Sequence, residues 1–463
     1  MSYNCPLCDK DFKLRLDVLR HLRTEKHLSH FNQQQRVLVV SLLDYVESKD
    51  INGVAGIRIN SAGGTGKTFC AGGVFNYLKN VICLAPTNRA VAELRKHFPY
   101  AQTIHKFFGW ATDVDENGKD VFFWKTPNIP PGTIFLIDEI SMMTDAQYSL
   151  FHHYIYGKYQ YVIMGDKAQL PPVETNEVES LPVDVPKIKN TQESLSLFFQ
   201  FPATEVILTE NMRTQDAELN ALVSGMRENV LQDKYIHLEN NWRFDCQFIK
   251  ENIHRNFLII AHKNDDVVRF NTQVRNYLHP EKQDSQVEVG DRIRINQYHI
   301  ARNLDNGGTM NLMSGDIYSI TQCSKETLTR KNIFDDSVVE FPCYRLVLND
   351  MYVVYTIQRE YQITLKLYKD HNKKLIKKVR STAEKPMTDD EVKDAKKTYH
   401  RTLRARTSFD CGWKFAFAST VHKAQGASYD LVYVYNYPQK YFQGKNKYTA
   451  CSRVVNELKI FKM

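Results

Sequence analysis

No stretch of the 463-residue sequence approaches the roughly 18 consecutive apolar residues that a membrane-spanning helix requires. Met1 is followed at once by a polar, cysteine-containing segment, so we expect no signal peptide. The cysteines number nine, and only Cys5 and Cys8 lie close together. Scattered thiols in odd number favour a reducing compartment. We therefore expect an intracellular protein of the nucleus, the cytoplasm or a viral replication site, neither secreted nor bound to a membrane.

The composition is that of a soluble globular protein, with 43% hydrophobic and 25% charged residues. A chain of this length forms more than one hydrophobic core, and about three domains are expected. The net charge of +8 is unevenly placed, because residues 365–407 hold 14 Lys and Arg against 6 Asp and Glu. Two interpretations of this basic segment stay open: a solvated helical face, or a surface that faces a polyanion such as nucleic acid.

The strongest functional signal is a glycine-rich turn between an apolar strand and a helix start, at residues 56–68. It follows the pattern G-x-x-x-x-G-K-[ST], except that Ser61 occupies the first position. Backbone N–H groups of such a turn surround an anion, Lys67 reaches the terminal phosphates, and the Thr68 hydroxyl ligates Mg²⁺. The positive end of the following helix adds to this. The sequence therefore predicts an ATP and Mg²⁺ site that contains Gly63, Gly64, Thr65, Gly66, Lys67 and Thr68.

An apolar run at residues 133–137 delivers Asp138 and Glu139 at its carboxyl end, where ligands bind in open parallel sheets. We predict that Asp138 holds Mg²⁺ and that Glu139 polarises the attacking water. A later strand and turn present Gln169, which we expect to orient water or to sense the γ-phosphate. Upstream, Gln35 opens a predicted helix, and a Gln amide matches the N6 donor and N7 acceptor of adenine. Taken alone, that glutamine also fits a plain surface position.

Residues 5–27 have the spacing of a Cys-Cys-His-His zinc finger, with apolar Phe12 and Val18 at the inner positions. The predicted Zn²⁺ ligands are Cys5, Cys8, His21 and His27, with both imidazoles on the helix of a ββα unit. So small a unit lacks a sizeable core, so the metal would supply its folding energy. We expect it to be separable, such that deletion of residues 1–28 leaves the ATPase intact. Basic residues on the finger favour nucleic acid as its target, with replication or repair proteins as the alternative.

From about residue 31 to 463, the sequence resembles superfamily 1B helicases of the RecD/Dda/Pif branch. The blocks that carry the resemblance, besides those above, are residues 85–90, 103–105, 208–213, 419–426 and 448–453. The resemblance implies that Gln35 contacts adenine, that Gly426 belongs to the nucleotide site, and that Arg213 and Arg453 approach the γ-phosphate as arginine fingers. It also implies an edge of the molecule that faces DNA. Each residue of this edge fits equally well as a turn residue whose polar groups are hydrogen-bonded locally. The residues are Pro86, Thr87, Thr103, His105, Thr420 and His422.

The implied fold class is α/β, with two RecA-like P-loop NTPase lobes, an inserted β-hairpin, an inserted small β-barrel and the N-terminal finger. The expected domains are the finger at 1–29, the first lobe at 30–200, the second lobe at 201–284 and 408–463, and the barrel with its basic element at 285–407. The hairpin is expected at about 110–128, because Asn-Gly at 117–118 is a strong turn signal. In the resembling helicases a hairpin here splits the duplex, whereas its aromatic residues equally fit packing onto their own domain.

The resemblance implies a monomeric motor that hydrolyses ATP, moves 5′→3′ on single-stranded DNA and unwinds forked or tailed duplex. The implied cofactors are ATP, Mg²⁺ and Zn²⁺. Three alternatives stay open: an RNA helicase of a viral type, a zinc-finger ATPase that remodels without separating strands, and a P-loop phosphotransferase. A nuclease is disfavoured, because no further carboxylate cluster stands outside the motor motifs.

Overall fold

The computed structural model describes most of the chain. The described residues are 3–5, 7–12, 15–48, 56–114, 120–125, 127–173, 176–188, 203–282, 286–296, 299–312, 314–331, 338–358, 388–391, 393–394, 396–398, 400, 411–437 and 442–462. Within them, no helix combines the length and the apolar character needed to cross a bilayer.

The N-terminal unit pairs two short strands in antiparallel fashion and follows them with two helices. Its elements are β1 (Tyr3–Cys5), β2 (Lys10–Phe12), α1 (Arg15–Leu22) and α2 (Glu25–Leu28). The sequence prediction placed both imidazoles on one helix, but His27 lies on α2. The first helix stops because the Thr24 hydroxyl donates to the His21 carbonyl oxygen at 2.7 Å, and Thr24 then occupies the N-cap position of α2.

The first lobe is built on a parallel sheet. Its strands and the hairpin strands in chain order are β3 (Gly56–Ser61), β4 (Val81–Ala85), β5 (Gln102–Thr103), β6 (Ala111–Val114), β7 (Asp120–Phe123), β8 (Ile134–Ile137), β9 (Gln160–Gly165) and β10 (Ala203–Leu208). Six of these strands form one parallel sheet in the order β10-β3-β9-β8-β4-β5. Parallel strands that are covered on both faces are mostly apolar, and all four residues of β8 are apolar and buried.

Helices cover both faces of this sheet. They are α3 (Gln33–Glu47), α4 (Lys67–Phe75), α5 (Asn88–Leu94), α6 (Ile104–Phe107) and α7 (Asp145–Tyr154), with 3₁₀ turns at Ile140–Met142 and Asn176–Ser180. Strand β10 pairs with β3, so the first-lobe sheet extends beyond the boundary expected at residue 200. When a strand pairs in parallel with one that is far away in the sequence, the residues around it do not indicate which lobe it joins.

Strands β6 and β7 pair antiparallel, from Ala111 opposite Phe123 to Val114 opposite Asp120. The predicted Asn-Gly turn lies outside the described residues. Trp124, directly after the hairpin, is buried, stacks 5.7 Å from the His105 ring, and donates Nε1–H to Ser180 Oγ at 3.1 Å. This tryptophan therefore packs the base of the hairpin onto its own lobe.

The second lobe is built on a smaller parallel sheet. It begins with α8 (Ala217–Leu231), α9 (Cys246–Glu251), β11 (Phe257–Ala261) and α10 (Asn264–Leu278). An inserted sheet follows with β12 (Arg292–Ile295), β13 (His299–Asn303), β14 (Thr309–Leu312), β15 (Ile317–Lys331), β16 (Val338–Leu348), β17 (Tyr352–Ile357) and β18 (Trp413–Phe415). The lobe resumes with β19 (Ala418–Thr420), α11 (Val421–Ala424), β20 (Tyr429–Tyr435), α12 (Lys445–Cys451) and β21 (Val454–Phe461). Its parallel sheet has the order β19-β11-β20-β21.

The inserted sheet is antiparallel and has seven strands in the order β14-β13-β17-β16-β15-β12-β18. Among the described residues its two edge strands do not pair with each other, so closure into a barrel stays a prediction. Strand β18 pairs with β12, which extends the insert beyond the expected limit at residue 407. Most of the basic segment lies outside the described residues, although Thr388 and Glu391 exchange the two hydrogen bonds of a capping box.

Candidate nucleotide site

The phosphate loop joins the buried strand β3 to helix α4, at the carboxyl edge of the first-lobe sheet. Gly64 and Gly66 both have positive φ, +87° and +82°, a region in which side chains are strained. A Cβ at Gly66 would lie 2.5 Å from Gln35 Nε2, and a Cβ at Gly64 would lie 2.4 Å from Arg213 Cβ. The loop thus needs glycine for conformation and for space. Ser61, the departure from the usual pattern, is fully buried.

A cleft opens at this loop. Its walls come from both lobes and include the residues Gly63, Gly64, Gly66, Lys67, Thr68, Phe69, Ala90, Glu93, Lys96, His97, Asp138, Glu139, Gln169, Arg213, Gly426, Ser428 and Arg453. Thr65 is buried behind it, where its hydroxyl donates to the Ala62 carbonyl oxygen at 3.1 Å. Gly426 reaches the cleft with φ +80°, and a Cβ there would lie 3.6 Å from Ala90 N.

Two oxygen ligands suited to a divalent cation lie side by side. The Thr68 hydroxyl, on the first turn of α4, lies 3.1 Å from Asp138 Oδ2, at the end of β8. Asp138 Oδ1 accepts from the Glu139 backbone N–H at 2.8 Å, which fixes the carboxylate plane. Mg²⁺ prefers such hard oxygen ligands together with substrate phosphates and water, so this pair fits Mg²⁺.

Glu139 is held in an unusual position. Its backbone has φ +55°, which is rare for a residue with a side chain, and it is buried. Burial raises the pKa of its carboxyl group, while the cations Lys67 and Arg453 act in the opposite direction. Gln169 lies between Glu139 and Arg453, and one assignment of its amide satisfies both of them. In that orientation its nitrogen donates to Glu139 Oε1 at 3.0 Å and its oxygen accepts from Arg453 Nη2 at 3.1 Å.

Two guanidinium groups converge on the loop. Arg213 follows β10, lies over the loop, and donates from Nη1 to the Ser452 carbonyl oxygen at 2.7 Å. Arg453 follows α12 of the second lobe and donates from Nη2 to Ser452 Oγ at 2.9 Å. A Cβ on Gly63 would lie 3.1 Å from Arg213 Nη1 and 3.5 Å from Arg453 Nη2. Burial and the neighbouring Arg453 lower the pKa of Arg213 to about 10, so it stays charged at neutral pH.

Gln35 belongs to the α3 capping box and also touches the loop. Its Oε1 accepts from the Asn32 backbone N–H at 3.2 Å, and its Nε2 donates to the Thr65 carbonyl oxygen at 3.0 Å. A primary amide has two donor hydrogens and two acceptor lone pairs. Each polar atom of the side chain therefore keeps one bonding direction for a further partner.

A buried polar network that the sequence interpretation did not assign joins the two lobes. Asp166, after β9, accepts from Arg227 Nε of α8 at 3.0 Å and from the Tyr448 hydroxyl of α12 at 2.6 Å. Gln425 Nε2 donates across the lobes to Ser141 Oγ at 3.2 Å. The Asp166 turn adjoins the Gln169 block, but its partners lie 61 and 282 positions along the chain, where no local pattern points back to it.

The residues expected to face DNA serve mixed local roles. Pro86 is buried. Thr87 and Thr103 cap α5 and α6 by accepting from the N–H groups of Ala90 and Lys106, whereas Thr420 precedes α11 without a side-chain capping bond. The His105 ring packs against the Trp110 and Trp124 rings, at 4.7 and 5.7 Å. Burial and the neighbouring His262 lower the pKa of His422.

The structure does bring blocks 85–90 and 419–426 together across the lobes. Arg89 donates from Nη1 to the Lys423 carbonyl oxygen at 2.7 Å and from Nη2 to the Tyr429 hydroxyl. Two further cations from the inserted sheet, Arg294 and Lys414, lie close enough to Lys423 to lower its pKa, after burial as the larger cause. Sequence reasoning did not single out these two residues, since a cation in a short strand gives no local indication of a site.

The four predicted zinc ligands form a cluster, with one ligand atom from each lying within 4.8 Å of the others. Cys5 Sγ and Cys8 Sγ lie 3.6 and 3.8 Å from His27 Nδ1. Tetrahedral Zn²⁺ with bonds of about 2.3 Å to sulfur and 2.0–2.1 Å to nitrogen separates S from N by about 3.6 Å, so the spacing fits zinc. Burial, with His21 and His30 nearby, lowers the pKa of His27 to about 4, which keeps its imidazole neutral for metal binding.

Two further observations concern the same cluster. His21 Nε2 is buried and has no hydrogen-bond partner among the described residues, as expected of an atom reserved for a metal. His30, which the spacing argument did not consider, places Nε2 3.6 Å from Cys8 Sγ at the exposed side of the cluster.

Comparisons with known proteins give one family match and one curated relative. The family model described as an AAA domain matches residues 55–175. An uncharacterised protein, R530 of Acanthamoeba polyphaga mimivirus, is 24% identical over 321 residues, which are 58% of this chain and 61% of that protein. The chain thus spans less than two thirds of the length of this relative.

Among solved structures, the chain resembles Pif1 helicase from Candida albicans, with 17% identity, a TM-score of 0.49, and coverage of 93% of this chain and 94% of that one. It also resembles Pif1 helicase from Bacteroides in complex with ADP-AlF3 and ssDNA, with 16% identity, a TM-score of 0.48, and coverage of 93% and 92%. The family match and the phosphate-loop geometry fall on the same stretch of the chain, residues 55–175.

Proposed function

We propose that the protein is an ATP-dependent DNA helicase that moves 5′→3′ on single-stranded DNA and unwinds forked or tailed duplex. The observation that carries the proposal is the convergence of Arg213 and Arg453 on the phosphate loop of the first lobe. Arg453 belongs to the second lobe, so a γ-phosphate bound between the loop and this arginine would hold the lobes together. Hydrolysis would release that contact and let the lobes part, which is the mechanical step of a motor.

In this proposal each polar group at the cleft has one role. Lys67 and the loop N–H groups bind the phosphates, while Thr68 and Asp138 hold Mg²⁺, which neutralises developing charge. Glu139, oriented by Gln169, accepts a proton from the attacking water. The arginine pair stabilises charge on the transferred phosphoryl group, where a planar guanidinium matches the oxygens.

The case for a nucleic-acid track rests on the cations that meet where the first lobe, the second lobe and the inserted sheet adjoin. Arg89, Arg294, Lys414 and Lys423 come from three parts of the chain but lie near one another. Cations gathered in this way match a phosphate backbone. Thr420 and His422 adjoin this group, so lobe movement would shift the contacts to the strand in step with ATP turnover.

We expect single-stranded DNA to stimulate ATP hydrolysis and a 5′ tail to be required for unwinding. The strand would span both lobes and favour the closed arrangement in which the arginines reach the phosphate. The measurement compares ATPase and strand separation on 5′-tailed, 3′-tailed and blunt DNA, with matching RNA duplexes. Equal unwinding of the 3′-tailed duplex would refute the direction, and activity confined to RNA would identify an RNA helicase instead.

We also propose that the bonding directions left open on Gln35 bind the adenine base. Gln35→Ala should then weaken ATP binding and lower the preference for ATP over GTP by about tenfold, a typical value for one lost bidentate base contact. Gln34→Ala is the matched control, since the Gln34 side chain is directed to Thr209 instead of the loop. If Gln35→Ala weakened ATP and GTP equally, the side chain would support the loop without recognising the base.

The remaining part of the proposal is one Zn²⁺ on Cys5, Cys8, His21 and His27. Two thiolates and two imidazoles form a closed four-ligand set, which is typical of a structural site.

We also propose that this helicase works in DNA replication, repair or recombination.

A further inference from the structure

We propose that the zinc site is a structural joint of the nucleotide-binding lobe, such that zinc occupancy sets the stability of that lobe and its affinity for nucleotide. The inference rests on the zinc ligands proposed above and does not require helicase activity. It differs from the expectation of a separable finger, because the contacts of the N-terminal unit are directed at the lobe.

The hydrophobic core of the finger is continuous with the core of the first lobe. Val18, Leu19 and Leu22 of α1 are buried in one cluster with Leu38 and Leu42 of α3. Cys5 and Cys8 belong to the same cluster. A finger that folded by itself would close its apolar residues around its own metal, whereas these residues need the lobe to be buried.

Ion pairs fix the orientation of this packing. Arg23 donates from Nη2 to Asp44 Oδ1 at 2.7 Å and to Glu47 Oε2 at 2.8 Å, both on α3. Arg36 of α3 in turn pairs with Glu25 of α2 at 2.7 Å. Exposed pairs stabilise little, but a reciprocal set restricts how the two units can turn against each other. Arg23, a basic residue of the finger that the sequence suggested for nucleic acid, is thereby committed to the lobe.

The lobe reaches the metal site directly through Tyr77, just beyond α4. The Tyr77 hydroxyl donates to Cys5 Sγ at 3.3 Å, and the residue is buried. A hydrogen bond to a ligating thiolate orients it and tunes its affinity for the metal, as partners outside the coordination shell generally do. The nucleotide-binding lobe thus contributes to the zinc site a bond that residues 1–28 cannot supply.

A second connection runs from the zinc ligands to the nucleotide cleft through aromatic rings. The Phe31 ring lies 5.5 Å from that of His27 and 5.2 Å from that of Phe69. Phe69 lies on the first turn of α4 and lines the cleft. Gly73 leaves room for the Phe31 ring, since a Cβ on this residue would lie 2.8 Å from Phe31 Cζ. Loss of the metal would free His27, and with it the ring that packs against the phosphate-binding helix.

The test uses the full-length protein with and without a zinc chelator. We expect zinc removal to lower the melting temperature of the main unfolding transition and to weaken binding of a fluorescent ATP analogue by about 5-fold or more, in the usual range of coupling between sites. Coupling is reciprocal, so saturating nucleotide should tighten Zn²⁺ binding by the same factor. Unchanged melting temperature and nucleotide affinity after zinc loss would show an independent finger and overturn the proposal.

A conservative variant tests the same point in a folded protein. Tyr77→Phe keeps the ring and removes the hydroxyl, so Zn²⁺ affinity should fall about 10- to 100-fold. Tyr100→Phe is the control, because Tyr100 is 96% exposed. Equal zinc affinity in both variants, measured by competition with a chromogenic chelator, would refute the role of Tyr77. All of these measurements report binding or stability, so they would test the link between zinc and the nucleotide-binding lobe even if the protein did not unwind DNA.

Discussion

Replacing Arg453 with alanine is expected to lower ATP turnover by about 10³- to 10⁵-fold while leaving nucleotide affinity nearly unchanged, which is the usual effect of losing an arginine finger. Arg453 comes from the second lobe and stands beside the phosphate loop, with Gln169 and Glu139 next to it. Its bonds to Ser452 Oγ hold the guanidinium in place beside the loop. The group is therefore positioned for charge that develops during the reaction, and ground-state binding would rest mainly on the loop.

Arg453→Lys is the informative control for this prediction. Lysine keeps the positive charge but has no planar fork, so turnover should stay far below that of the unaltered protein. Because Arg453 is buried, the melting temperature of each variant has to be measured beside single-turnover hydrolysis and nucleotide affinity. A loss of only twofold, in a stably folded variant, would exclude the arginine-finger role.

The nucleotide site divides into a part that local sequence predicts and a part that it does not. The phosphate loop is contiguous, and its glycines, Lys67 and Thr68 have roles that follow from spacing. The acidic pair follows from its place at the end of a buried strand. The residues around Arg213 and Arg453 do not indicate a role in the nucleotide site, and that role was predicted only from the resemblance to superfamily 1B helicases. Their approach to Gly63 depends on how two lobes pack, which no short pattern encodes.

The N-terminal unit shows the same division more sharply. Spacing predicted the four ligands, and the structure brings them within 4.8 Å of one another. It did not predict the docking, because the partners of the finger are Asp44, Glu47 and Tyr77, which belong to no recognisable pattern in the sequence. A small core suggested a unit that relies on metal alone, whereas the structure extends that core into the lobe.

Strand assignment failed where pairing is distant in the chain. Ala203–Leu208 joins the first-lobe sheet beside β3, almost 150 residues away, and Trp413–Phe415 joins the inserted sheet beside β12. Each strand is short and mixes apolar with polar residues, so its own sequence does not indicate which neighbour it pairs with. The Asp166 network escaped prediction for the same reason, since Arg227 and Tyr448 reach Asp166 only through the packing of the second lobe against the first.

Lys67→Ala and Glu139→Gln are both expected to lower ATP turnover by orders of magnitude, but each affects a different step. Lysine at this position contacts the terminal phosphates, so Lys67→Ala should lose binding as well as hydrolysis. Glu139→Gln keeps the size and polarity of the side chain and its hydrogen bonding toward Gln169, while it removes only the ability to accept a proton. It should bind ATP about as tightly as the unaltered protein and turn over about 10²- to 10⁴-fold more slowly.

The pH profile gives this assignment an independent check. Glu139 must be ionised to act as a base, and burial raises its pKa, so a larger fraction is protonated at mildly acidic pH than for an ordinary glutamate. As pH falls, turnover should therefore decline at higher pH than an exposed carboxylate would give, and this limb should vanish from the residual activity of Glu139→Gln. Equilibrium nucleotide binding, single-turnover hydrolysis and the acid limb are the three measurements. Near-normal hydrolysis by Glu139→Gln would mean that another group activates the water, and the carboxylates would have to be assigned anew.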